Sequence, residues 1–153
     1  RYYDILRKLA QKNNAFSPVF ATQAALCKVL GNKAQLSVKL KKAYDEKNAA
    51  ELKRLADKID VIVRDVKEFY EAFKAQWNAE NKSFGFEVQD IRIGGLILRL
   101  EHIKNVLIEY TEGRLPKIEA LEEKRHTIGV NKHKSEVSIV FNNYRQTVTA
   151  GTL

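Results

Sequence analysis

The chain has no methionine, one cysteine and only two prolines and seven glycines among 153 residues. Each scarcity excludes something. A lone thiol, Cys27, rules out an internal disulfide and with it the disulfide-stapled secreted mini-domain. Cys27 lies on an apolar-periodic segment, where a buried inert thiol is expected rather than a reactive one. So few helix breakers disfavour a turn-rich β fold and favour long uninterrupted helices. No apolar run approaches a membrane-spanning length, and no signal peptide is visible. Starting at Arg1 without methionine, the chain reads as a fragment or processed piece of a larger protein; location is left open, with the cytoplasm slightly favoured.

What is present is charge and helical periodicity. The net charge is +8, which invites a nucleic-acid reading. Its distribution argues otherwise, because lysines are interspersed with Asp and Glu along helical segments, and the densest run, Lys39 to Lys42, is interrupted by Leu40. There is no basic loop interleaved with exposed aromatics, so a solvated helical face is expected, with at most weak electrostatic attraction to polyanions.

Apolar spacing predicts a first short helix over residues 2–12, with Tyr2, Ile5, Leu6 and Leu9 on one face. Ser17 and Pro18 read as N-cap and first residue of a second helix presenting Val19, Phe20, Leu26, Val29 and Leu30, stopped by Gly31 in left-handed conformation. A third helix is expected over 33–46, with Leu36, Leu40, Ala43 and Tyr44 inward. Asn48 and Glu51 form a capping-box-like pair ahead of the longest helix, from Ala49 to about Glu80. Leu52, Leu55, Ile59, Ile62, Val66, Phe69, Phe73 and Trp77 keep three- and four-residue spacing along it. At 1.5 Å per residue it extends about 48 Å and needs partners along its whole stripe.

Residues 81–85 read as a turn, and a fifth helix from Glu87 to Glu112 returns antiparallel with Ile93, Leu96, Ile97, Leu100, Ile103, Leu107 and Tyr110 inward. Gly113 ends it, and Pro116 opens a short helix carrying Ile118 and Leu121. Residues 126–136 are polar and unpatterned, which predicts a loop; 137–153 fit strand or helix, with a short helix preferred. The sum is a single all-α domain over 1–153, a helical bundle built on two long antiparallel helices with shorter helices packed against them.

Little of the usual catalytic chemistry has a place in this pattern. His102, His126, His133 and Cys27 share no ligand spacing, so no metal or other cofactor is expected. There is no nucleophile elbow, and Gly94-Gly95 lacks the Lys-Ser/Thr of a phosphate loop. The most informative stretch is 84–100, FGFEVQDIRIGGLILRL, where Glu87, Gln89, Asp90 and Arg92 interrupt an apolar run ahead of two glycines. A glycine inside a helix costs about 1 kcal/mol relative to alanine. A local polar network (Glu87, Asp90, Arg92) or a close backbone approach at Gly94 and Gly95 would offset that cost. Two roles stand open for the charges: anchoring the fifth helix, or facing another domain or a partner's active site.

That stretch, with RLE at 99–101, LIEY at 107–110, EG at 112–113 and IEALEE at 118–123, resembles the C-terminal helical domain of bacterial β-N-acetylhexosaminidases of glycoside hydrolase family 20. The 36–44 helix, the KNAAEL start of the long helix and the closing NYRQTVTAGTL are also similar, so the resemblance covers most of the chain from about residue 30. It implies a catalytic (β/α)₈ barrel upstream, where one carboxylic acid of an Asp-Glu pair protonates the leaving oxygen and the substrate's acetamido group is the nucleophile. This chain would then carry no catalytic residue. It would pack on the barrel of the same protein and help form a homodimer, in an enzyme that releases terminal N-acetylhexosamine from glycans. The alternative is a stand-alone helical interaction module or weak polyanion binder.

Overall fold

The computed structural model describes residues 2–12 and 14–123. Six helices follow in order: α1 (Tyr2–Ala10), α2 (Ser17–Lys33), α3 (Leu36–Asp45), α4 (Ala49–Glu80), α5 (Glu87–Thr111) and α6 (Glu119–Glu122). The protein is an all-α bundle, as the periodicity predicts. The expected loop at 126–136 and helix at 137–153 lie outside the described residues. None of the described helices is long and apolar enough to cross a membrane.

α4 is the central element, packed against α2, α3 and α5. Its stripe of Leu52, Leu55, Ile59, Ile62 and Val66 is almost completely enclosed. α5 returns antiparallel to it, as two pairings show: Lys104 Nζ lies 2.6 Å from Asp60 Oδ2, and Tyr70 Oη lies 2.8 Å from Asp90 Oδ1. Ile93, Leu100 and Leu107 are the α5 residues that complete the buried core, while Leu96, Ile97, Ile103 and Tyr110 pack half-buried beside them.

The helix ends show where backbone chemistry agrees with the sequence and where it does not. Asn48 caps α4, its side-chain oxygen accepting from Glu51 N at 3.0 Å. The reciprocal half of the expected box is absent: Asn48 N donates to Ala43 O, and the Glu51 carboxylate takes Arg54. Gly113, at φ +77°, ends α5 as expected. Gly113 N bonds Tyr110 O at 3.1 Å and Arg114 N bonds Glu109 O at 2.9 Å, satisfying two final carbonyls. The same pair of bonds ends α3, but there the left-handed position is filled by Lys47, at φ +51°, with no glycine to signal it.

Several expectations are corrected. α2 runs straight through Gly31 to Lys33, and Leu30 faces solvent. Ser17 is the first helical residue and no cap, because its hydroxyl accepts from Asn14 N at 2.9 Å in the preceding turn. α3 begins at Leu36, the first residue of its buried row, not at 33. Pro116 precedes α6 by three residues, so it does not open it. Tyr2 and Ile5 of α1 are exposed, since α1 packs chiefly on α2 and buries no residue completely.

Candidate functional site

The turn between α4 and α5 sets up the stretch that the sequence singles out. Trp77 Nε1 donates to Lys82 O at 2.9 Å, folding the turn back on the last turns of α4. Gly85 follows at φ +94°, a conformation L side chains rarely adopt. The reversal sends the two flanking phenylalanines to opposite sides. Phe86 is buried, its ring 5.6 Å from Phe73, 5.7 Å from Trp77 and 5.9 Å from Tyr70. Phe84 is 89% exposed.

The three candidate charges do not pair with one another. Glu87 Oε2 accepts from Gly85 N at 2.8 Å, closing the turn onto the first residue of α5. Asp90 Oδ1 accepts the Tyr70 hydroxyl at 2.8 Å and so ties α5 to α4. That bond, followed by desolvation, raises the Tyr70 pKa, because ionising the phenol would set two anions together. Both carboxylates lie in the first turn of α5, where the helix dipole favours negative charge. Arg92 is exposed and makes no hydrogen bond or ion pair among the described residues. A Cβ built at Gly94 meets nothing within 4 Å, so no neighbour among the described residues needs its missing side chain.

The outward side of α5 is unusual. Val88, Ile91 and Leu98 are exposed on it, Ile91 by 73% and Leu98 by 68%, and Phe84 continues the row into the turn. α5 therefore carries apolar residues on two opposed faces. The sequence reading assigned only the inner one, though the outer residues repeat at the same three- and four-residue spacing and could have been found that way.

Three further features escaped that reading. Asp65 sits beside the apolar stripe of α4 on the side facing α2 and is buried, with Lys28 Nζ at 3.1 Å and Asn32 Nδ2 at 2.7 Å, both from α2. The hydrogen bond to Glu68, then that to Asp65, raises the Lys28 pKa. Tyr44, called inward, also clasps the chain after α5: its hydroxyl accepts from Ile118 N at 3.1 Å and donates to Glu122. Finally, a cavity of about 210 Å³ opens between α3, α5 and α6, lined by Leu40, Ile103, Leu107 and Leu121, with Arg99 and His102 also on its wall. Its side chains belong to three separate segments, so no local pattern announces it. Among the described residues no three His, Cys, Asp or Glu side chains converge as metal ligands.

The family model described as the Glycoside Hydrolase 20C C-terminal domain matches residues 2–140. The match reaches further towards the N-terminus than the resemblance read from residue 30, and it stops before the closing 143–153 stretch. No curated protein matches the chain. A match over that much of the sequence shows that the chain belongs to the family of glycoside hydrolase 20C C-terminal domains.

Proposed function

We propose that this chain is the accessory domain of a β-N-acetylhexosaminidase, packing on the catalytic barrel of the same protein and supporting its dimerisation, while the barrel releases terminal N-acetylhexosamine. The observation that carries this reading is the family match over residues 2–140. The site geometry agrees with it. Glu87 and Asp90 are engaged in holding the start of α5. The interface role falls to Arg92 and to the glycine pair, and the free space at Gly94 suits the close approach of another backbone.

Ion pairing within the chain weighs against a nucleic-acid groove among the described residues. Lys28, Lys41, Arg54, Lys74, Lys104 and Arg114 each pair with a carboxylate of the chain.

Turnover of a chromogenic N-acetylglucosaminide, measured for the 153-residue chain and for the complete protein that contains it, tests the proposal. The complete protein is expected to hydrolyse it and the chain alone to match buffer. Turnover by the pure chain, or none by the complete protein across several N-acetylhexosaminides, overturns it. Light scattering on the complete protein reads the dimer.

A further inference from the structure

We propose that the outward face of α5, built from Phe84, Val88, Ile91 and Leu98, is the seat of the catalytic domain of the same protein, and that Arg92 and Arg99 along one edge meet carboxylates of that domain. The inference rests on the accessory-domain reading and deepens it by naming the surface and its complement.

Positions 88, 91, 95 and 98 advance by three, four and three residues, so they form one row of α5, and Phe84 stands exposed in the turn just before it. That row lies opposite the one containing Ile93, Leu100 and Leu107, which is buried against the rest of the bundle. A helix apolar on both sides is built to be covered on both sides. On α5 only the inner side is covered among the described residues, and Phe84, Ile91 and Leu98 stand in the open. A contiguous exposed apolar patch of this kind marks a docking surface.

Two observations specify what docks. Gly95 falls in the row itself and Gly94 beside it, with nothing near the latter's missing Cβ. The pair weakens α5, and nothing among the described residues uses the space at Gly94. A polypeptide element crossing the helix would. Arg92 and Arg99 are seven residues apart, hence on the same edge of the row, and both are exposed without a carboxylate partner among the described residues. The complement is therefore a protein surface, apolar at its centre and acidic along one side.

The choice between a catalytic domain and a second copy follows from tethering and charge. A domain on the same polypeptide meets this face at an effective concentration of order millimolar, ahead of any free copy. A two-fold antiparallel pairing of α5 with itself would set each edge against its own copy, arginines against arginines, and like-charge juxtaposition disfavours it.

Hydroxyl-radical footprinting read by mass spectrometry tests the proposal on the 153-residue chain and on the complete protein. In the chain alone, Phe84, Ile91 and Leu98 oxidise as exposed side chains. In the complete protein their rates fall by about fivefold or more as the face is desolvated. Val38, 69% exposed on α3, serves as the reference and stays unchanged. The double substitution Ile91→Asp with Leu98→Asp restores oxidation at Phe84 without altering the oligomeric state.

Undiminished oxidation in the complete protein overturns the proposal. So does protection already present in the chain alone, which gives the face to the chain's own remaining residues or to a second copy. Conversion of a dimer to monomers by the double substitution also overturns it, in favour of a second copy. Wild-type turnover is read separately: an active enzyme with an open face removes this inference only, and an inactive protein with a protected face removes the hexosaminidase reading only.

Discussion

Asp65 shows how a single residue's meaning depends on what surrounds it. On α4 it occupies a core position, and its charge is tolerated because Lys28 and Asn32 of α2 reach it. Removing one partner of a fully buried pair costs about 3–5 kcal/mol. Lys28 is 35% exposed, so solvent already screens the pair and about 1–3 kcal/mol is expected for Lys28→Met. Urea unfolding checks this, and Lys28→Met combined with Asp65→Leu should recover most of the loss, since no buried carboxylate is then left without its cation. Tyr44 offers a test through pH. Its hydrogen bond to Glu122, then its desolvation, raises its pKa above the ordinary tyrosine value. A raised pKa means that folding favours the protonated phenol. That contribution is complete below the unfolded value near 10 and is lost as pH rises through the higher folded value. The melting temperature of the wild type should therefore fall above about pH 10 with a component that Tyr44→Phe lacks. Parallel curves for the two proteins would contradict the clasp.

At the scale of elements, glycines separate what a helix tolerates from what a turn requires. Gly31 is inside α2, with nothing within 4 Å of its missing Cβ. Gly31→Ala should stabilise the protein by about 0.5–1 kcal/mol through helix propensity and a less free unfolded chain. Gly113 stands at φ +77°, so Gly113→Ala should destabilise by about 1 kcal/mol or more despite equally open space. Thermal unfolding of both variants reads the two signs, and equal signs would contradict this contrast between helix interior and turn. Lys47 makes the complementary point: the stop after α3 is set by hydrogen bonds to Tyr44 and Ala43, not by a glycine, so no residue type marked it.

Across the whole molecule, burial is graded. α4 carries the fully enclosed side chains between Leu52 and Val66, while α1 buries none completely and packs chiefly on α2. Amide hydrogen exchange should follow this gradient, slowest over residues 52–66 and fastest in α1, where opening exposes little core. Uniform protection of α1 and α4 would mean that α1 is held by contacts beyond α2. The same gradient accounts for the aromatic end of the bundle. Phe73 and Trp77 are only half-buried because the turn and Phe86 cover one side of them, whereas the middle of the bundle is enclosed by helices on several sides.

The sequence by itself determined the helices and their order. Apolar residues recurring every three or four positions can be read locally, and so can a cap such as Asn48 or a stop such as Gly113, because each acts within one or two turns of its own chain. α4 was legible end to end for that reason. The family was legible as well, since the 84–100 motif is contiguous. Tertiary structure alone decided which partner each polar group takes. The 84–100 motif displayed Glu87, Asp90 and Arg92 as one cluster, but the fold turns Glu87 to the Gly85 amide, brings Tyr70 to Asp90 from twenty residues away and leaves Arg92 outward. It likewise decided that Asp65 and Lys28 meet, and that one apolar row of α5 is buried and the other open. The physical reason is common to all three. Periodicity says that a face is apolar or charged, but the energy of that face depends on what is packed against it, and that is settled only when distant segments meet.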